Sequence, residues 1–552
     1  MIKPLPQFSK PSQQVAQYQI FASSIAAVVI YFLMTALSVA SAATINVTAA
    51  PGEVGCELIE AINSANTDMA IGGCSAGNGA DEIRILGTHT FTAPFVDANS
   101  PRSYGDAALP IITTPVTITG VDTSAVIRRD TSNPVVLFRL INVINGDLTL
   151  KNVTVRDGNV DLPGGGDNTD TRGGGIYIFG NNANLSIIDS KILDNRGGSF
   201  GGGLYSSSAN LVIIKNSMIA GNVSNSDAAF NLSNVAQRIE IEDSTIEGNV
   251  TNSRTSGICR AFLSDLQIKR SAIVQNEGSA ISVSMGSLNL TDSTISGNAF
   301  SATSDVIFAD IPAVHMSPGK GSQLSMLNTT IVNNRPTADQ IGSNLATFGV
   351  SIIPPNSTTT ESLSVVARNN IISANSRSGA NRGSEGAEVD VFDDGGNFLS
   401  SNVTSEFTAN IIGEAGISTA DAINNITISD MTNLILTSDS PDPTSLNSIV
   451  NPLGQYGGPT KSHTLPPLSP ARDAGTDGFF TLLGSLFFYE PGCRGEFLSI
   501  GPVPPYRLDQ RSLSRPIGDF CDIGSTEFRN QDILDTCFVT KAANDNVIVY
   551  CL

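Results

Sequence analysis

Apolar and polar positions follow a repeated phrase along the middle of the chain: apolar-x-apolar-x-(Asn/Asp)-(Ser/Thr)-x-Ile-x-x-Asn. Copies begin at Leu148, Leu185, Val212, Ile239, Leu266, Leu288, Leu324 and Val365, and the clearest are IEIEDSTIEGN from Ile239 and LNLTDSTISGN from Leu288. The first and third places alternate with polar residues, which puts them on one face of a strand. The fifth place is usually Asn or Asp, the residues that tolerate a left-handed backbone and close tight turns. The eighth place is Val155 and then Ile192, Ile219, Ile246, Ile273, Ile295, Ile331 and Ile372. The eleventh is Asn195, Asn222, Asn249, Asn276, Asn298, Asn334 and Asn375, with Gly158 in the first copy.

A helix cannot place an Asn after every third apolar position in this way. Two short strands with a bend between them can, provided that each copy stacks on the next about 4.8 Å away. A third strand precedes several copies, as in GGGIYIF (173–179), GGGLY (201–205) and AISVS (280–284). The pattern predicts an all-β chain wound as a right-handed parallel β-helix, the hand following from the crossover rule. Ile stacks on Ile inside it, and Asn stacks on Asn along a corner. A short amphipathic helix over Glu57–Asn66 is expected to cap the open end. Longer intervals mark insertions such as Pro163–Arg172 and Asn375–Glu388, expected as loops.

The ends read differently. Ile20 to Ala40 is apolar and runs into Ala40-Ser41-Ala42, which predicts a secretory signal over 1–42 cut after Ala42; an uncleaved anchor is the alternative. The expected organisation is a cap over 43–80, the β-helix over 81–400, a C-terminal irregular or all-β module over 401–530, and a hairpin tail over 531–552. Seven Cys suit an oxidising compartment. Cys56 with Cys74, Cys493 with Cys521, and Cys537 with Cys551 at the base of the tail hairpin are the expected pairs, leaving Cys259 as a buried thiol.

Composition narrows the function. The formal net charge of −20 weighs against nucleic acid and against a polybasic membrane patch. No Cys/His spacing suggests zinc, and no cofactor is expected; an acidic surface permits Ca²⁺, although no motif holds it. Catalysis by a polysaccharide lyase or hydrolase needs a base or paired carboxylates on one face. Asp393-Asp394 is the one adjacent Asp pair and reads as a Gly-rich turn. Asp157, Asp194 and Glu247 fall near bends and read as solvated. Tyr177 and Tyr205 alternate outward on adjacent coils, where exposed rings could pack on sugars or simply stack; Arg260 and His315 are expected to continue that face. His463 reads as structural, and Arg511 with Asp522 as a turn or salt-bridge pair.

Three segments resemble a known family. Cys56-Glu57-Leu58-Ile59-Glu60-Ala61-Ile62-Asn63-Ser64-Ala65-Asn66 resembles the C-S-L-R-E-A-I-x-x-A-N motif of bacterial CSLREA-domain proteins, departing at Glu57 and Ile59. The repeats look like the pectin-lyase-like β-helix. Gly457–Leu465, Ser469–Gly475, Asp509–Arg511 and Cys521–Glu527 are similar to the choice-of-anchor Q region of the same proteins. The resemblance implies export to the bacterial surface or medium, a β-helix body and no particular activity. The expected function is a non-catalytic extracellular scaffold or adhesin that meets a polysaccharide or cell-surface component. The alternative is a carbohydrate-active enzyme.

Overall fold

The computed structural model describes residues 42–96, 104–162, 169–251, 257–298, 309–334 except 318 and 320, 345–352, 363–375, 387–391, 403–476 except 425, 427 and 429, 478–491 except 484 and 485, 508–515, 521–529, 537–541 and 547–551. The expected signal segment, Cys493 and the Asp393-Asp394 pair lie outside these residues.

Each copy of the repeat contributes strands to parallel ladders. Ladder one runs through Thr44–Asn46, Asp81–Ile85, Val116–Gly120 and onward to Val403–Thr408. Among the described residues ladder two has twelve strands, from Thr88–Phe91 to Leu434–Ile435. Ladder three runs from Ile141–Ile144 to Ile423–Asn424, and the long strand Leu204–Lys215 joins it to ladder one in a sheet of 21 described strands. The chain is a parallel β-helix. Its paired strands span Thr44 to Ile435, beyond the expected 81–400, because Thr44–Asn46 starts ladder one beneath Asp81–Ile85 and the coils continue past residue 400.

The interior follows from period-two alternation. Ile127, Val155, Ile192, Ile219, Ile246, Ile273, Ile295, Ile331, Ile372 and Ile412 pair in register down ladder two, and all are buried. The bend between ladders one and two is left-handed at Asn152, Asp189, Asn216, Asp243, Arg270, Asp292, Asn328 and Asn369, with φ between 46° and 55°. Arg270 lacks the short side chain that favours this backbone. Its guanidinium instead reaches Asp243 at 2.7 Å and Glu242 at 2.6 Å, hydrogen bonds that, with the two charges, push its pKa upward despite burial.

The Asn corner is a continuous amide ladder. Nδ2 of Asn195 donates to Oδ1 of Asn222, and the same bond repeats through Asn249, Asn276, Asn298, Asn334 and Asn375 at 2.8–3.1 Å. Each Oδ1 also accepts the backbone N–H of the preceding Asn, and most Nδ2 groups also donate to a ladder-two carbonyl one coil back. Buried amides therefore leave no donor idle, as burial requires. The last Asn375 donates to the buried carboxylate of Glu388, which ends the series. A parallel hydroxyl series crosses the left-handed bend, with Ser190, Ser217, Ser244, Ser271 and Ser293 each accepting the N–H of the coil before.

The cap helix spans Leu58–Thr67, one residue later than expected. The Glu60 carboxylate accepts the Glu57 N–H at 3.2 Å, and Asp68 ends the helix at φ 52°. Its buried Leu58, Ala61, Ile62 and Ala65 seal the first coils, and the Cys56–Cys74 disulfide ties its start to the following turn.

Past Ile435 the chain reverses and runs back over the outside of ladder two. Gly524 N–H donates to Asn369 O at 2.7 Å, Ser525 N–H to Thr330 Oγ1 at 2.9 Å, and Thr294 Oγ1 to Gln510 Oε1 at 2.6 Å. Lys461 meets Glu247 at 2.6 Å. A second apolar core of Val332, Ile371, Ile411, Leu436, Ile449, Leu465 and Ile523 lies between this returning chain and the coils. Arg511 pairs with Asp509 at 2.9 Å and not with Asp522, whose carboxylate instead accepts the Asp473 N–H at 2.7 Å. The two were expected as partners, but the turn at 509–513 puts Asp509 closer, and its carboxylate also takes the Arg511 and Leu513 N–H groups. Cys521 is disulfide-bonded. In the tail, Cys537–Lys541 pairs antiparallel with Val547–Cys551, placing Cys537 opposite Cys551.

Candidate functional site

The outward residues of ladder three form one row. Asn142, Tyr177, Tyr205, Asn231, Arg260, Ser282, His315, Ser351 and Asp390 are successive register partners. The structure thus brings together all four residues proposed for binding, Tyr177, Tyr205, Arg260 and His315.

Their exposure differs from expectation. Tyr177 and Tyr205 stack with centroids 5.6 Å apart and planes 18° apart, but they are only 2% and 6% exposed. They point away from the coil interior, as alternation requires, yet other segments cover them. Tyr104, from a connection between early coils, lies against Tyr177 and Phe179 at 6.3 and 5.7 Å. Arg139 lies over the Tyr177 ring at 4.8 Å, and Arg172 donates to the Tyr205 hydroxyl at 2.8 Å. Ile144, Tyr177 and Tyr205 form a small apolar cluster of their own. Its close approach rests on glycine: a Cβ at Gly175 would lie 2.6 Å from the Gly203 carbonyl, and one at Gly203 the same distance from that of Ala229.

Arg139 is fully buried. Desolvation pulls its pKa down to about 10, against the pull of Tyr177, Asp170 and Asp106, so it stays charged at neutral pH. It donates to Tyr104 O at 2.6 Å and to Asn142 Oδ1 at 3.1 Å, which anchors the Tyr104 connection to the row.

Farther along, burial relaxes at Arg260 and His315, which are half-buried while Asn231, Ser282, Ser351 and Asp390 are covered. Asp227 sits beside Arg260, its carboxylate 3.8 Å from the guanidinium and accepting from Asn231 Nδ2 at 2.7 Å. Its other oxygen is buried without a hydrogen-bond partner. Desolvation raises the Asp227 pKa to about 7, with Arg260 and Asn231 opposing. Desolvation, and then the Arg260 charge, push the His315 pKa below its ordinary value. Asp227 was not anticipated; the available signal was its place before an Ala-Ala-Phe strand start, where a left-handed residue (φ 58°) closes the turn.

Several outward charges elsewhere are matched by ion pairs. Asp157 meets Arg128 and Arg156, Asp194 meets Arg156, and Glu240 and Glu242 share Lys215. Asp157, expected to be solvated, is therefore held in an ion pair. His463 is buried under the returning chain: Nδ1 lies 2.6 Å from Asn451 O and Nε2 2.9 Å from Ser296 Oγ. The carbonyl can only accept, so Nδ1 carries the proton and Nε2 accepts from the hydroxyl. Desolvation lowers its pKa to about 4, partly offset by the Asn451 bond. Among the described residues no group of three His, Cys, Asp or Glu is arranged to hold a metal ion, and no helix is long and apolar enough to cross a membrane.

No protein-family model matches this chain, and no curated protein sequence matches it. Among solved structures it is similar to the crystal structure of pectate lyase Pel9A, with 13% sequence identity and a TM-score of 0.41 over 89% of this chain and 98% of that one.

Proposed function

We propose that this chain is an exported, non-catalytic scaffold whose ladder-three face contacts an extracellular polysaccharide through Arg260 and His315. The observation that carries this reading is how the outward polar groups are used. The Asp157, Asp194, Glu240, Glu242 and Asp243 carboxylates are engaged by Arg and Lys, and the corner amides by each other, so these side chains serve the stack. Arg260 and His315 are where the ladder-three row reaches solvent, and they offer a guanidinium fork and an imidazole to hydroxyl or carboxylate groups.

Further features support export and the CSLREA and choice-of-anchor Q resemblance. The Cys56–Cys74 bond suits an oxidising compartment. The Cys56–Asn66 motif forms the helix that closes the N-terminal end, and the Gly457–Glu527 motifs dock on ladder two, so both act as architectural parts.

The test is incubation of purified protein with polygalacturonate, alginate and neutral glucans, with and without Ca²⁺. The expected result is no rise in the absorbance of unsaturated sugar products, together with retarded migration in gels containing a bound polymer that Arg260→Ala removes. Product formation would replace this reading with the lyase alternative.

A further inference from the structure

The buried aromatic column reaches the surface at one end. Tyr104 is half-buried and closes the column beyond Tyr177, and its ring also lines a cleft of about 590 Å³. The cleft lies between the cap helix, residues 95–96 and 104–113, and the first strand of ladder three. Its volume falls within the range of about 300–1,000 Å³ typical of small-molecule sites.

The lining divides into a floor and a rim. Tyr104, Ile111 and Ile144 supply apolar surface. Asn63 of the helix, Asn145 just past the Ile141–Ile144 strand and Asp106 supply polar groups at the edge. The Asn63 and Asn145 side-chain amides make no hydrogen bond with described residues; only their backbone groups are engaged, the Asn63 carbonyl by Thr67 and the Asn145 N–H by Phe179 O. Each side-chain amide can therefore donate and accept at once. Among the described residues that line the cleft, Asp106 is the one charged side chain and is exposed, so it sets an acceptor at the rim beside which a ligand carboxylate is disfavoured. The position of Tyr104 is itself secured from below, because the buried Arg139 guanidinium holds its carbonyl.

An aromatic ring beside aliphatic side chains, edged by unengaged amides and a carboxylate, matches a ligand with one C–H face and a ring of hydroxyls. We propose that this cleft binds a neutral saccharide, one sugar ring lying on Tyr104 and its hydroxyls meeting Asn63, Asn145 and Asp106. This site is separate from Arg260 and His315, and it stands whether or not that face binds a polymer. It also reassigns the aromatic contact: Tyr177 and Tyr205 support the platform from within, and Tyr104 presents it.

The chain contains no Trp, so tyrosine fluorescence and titration calorimetry read the site without a dominant background. Cellohexaose, maltohexaose and mannohexaose are titrated in parallel with hexagalacturonate. At least one neutral hexaose is expected to bind, and hexagalacturonate to bind this cleft more weakly. Tyr104→Ala should weaken the neutral ligand about tenfold, while Tyr104→Phe keeps the ring and most of the affinity. Asn145→Gly, which retains the left-handed backbone found there (φ 56°), should also weaken it. Lys191→Ala, at an exposed position on ladder two outside both sites, should leave it unchanged and serves as the control; thermal melts confirm that each variant is folded. Failure of all three neutral hexaoses to bind, equal binding by Tyr104→Ala, or loss of binding in Lys191→Ala would overturn the proposal.

Discussion

Ladder two has two halves with the same interior and opposite exteriors. In the first, the residues flanking the inward Val155, Ile192, Ile219 and Ile246 are Thr154 and Arg156, Lys191 and Leu193, Met218 and Ala220, and Thr245 and Glu247. All of them are exposed or half-buried. In the second, the residues flanking Ile273, Ile295, Ile331 and Ile372 are Ala272 and Val274, Thr294 and Ser296, Thr330 and Val332, and Ile371 and Ser373. All of these are buried. The returning C-terminal chain makes the difference. A strand with one buried face alternates, whereas a strand covered on both faces reads as small or apolar throughout. The change from TIE to AIV between adjacent coils marks where the cover begins, and the Lys461–Glu247 ion pair stands at that edge.

The largest expected effect comes from breaking the covered half. Arg515 is fully buried between Glu527 at 2.7 Å and Asp292 at 3.3 Å, joining the returning chain to a coil. Arg515→Met removes the guanidinium shared by two buried carboxylates and should cost about 3–5 kcal/mol. The melting temperature should fall, and limited proteolysis should cut first within 436–529 while the early coils persist. Uniform loss of all coils would show that the cover and the stack are one cooperative unit.

The pH dependence separates the halves by sign. His463, under the cover, has its folded pKa lowered from 6.5 to about 4. Its contribution is complete above pH 6.5 and is lost as pH falls toward 4, about 3 kcal/mol in all. Asp227, beside ladder three, has its folded pKa raised from 3.8 to about 7. Stability should fall as pH rises across that window, by a similar order of magnitude. Denaturant midpoints from pH 3.5 to 7.5 should therefore show a flatter acid limb in His463→Asn and a gain near pH 7.5 in Asp227→Asn. An unchanged profile in either variant would remove that group from the account.

Next comes the corner that both halves share. Asn249→Ala removes the acceptor for both the backbone and side-chain N–H of Asn222. A loss of about 2 kcal/mol is expected, because buried donors are left unpaired. The smallest effect sharpens the comparison most directly. Thr245 and Thr294 occupy the same row, two coils apart. Thr294→Val loses bonds to Gln510 and Ser525 and should cost about 1–2 kcal/mol, whereas Thr245→Val should stay within about 0.5 kcal/mol. Chemical denaturation of the pair tests whether the cover alone distinguishes them.

Much of the coil was legible because its constraints are local. Alternation identified the inward Ile column, and the Asn and Asp at the fifth place identified the left-handed bend. The eleventh-place Asn predicted the amide ladder, whose closure by Glu388 was not foreseen, because that acid comes from an insertion rather than the repeat. Of the candidate site, the row shared by Tyr177, Tyr205, Arg260 and His315 was readable from alternation. Its exposure was not, since Tyr104 and Arg139 arrive from segments outside the repeat. The same holds for the start of the stack: Thr44–Asn46 is too short to show a period, and only its pairing with Asp81–Ile85 reveals it.

By itself, then, the amino-acid order determined which side chains face inward, where the chain bends and which polar groups can ladder. These are matters of backbone preference and two-residue alternation within a few neighbouring residues. The tertiary structure alone decided which outward faces are covered, which tyrosine meets solvent and which buried charges are paired. Those outcomes depend on packing between residues hundreds of positions apart, such as Thr294 with Gln510 and Ser525, and no local pattern encodes such a distance.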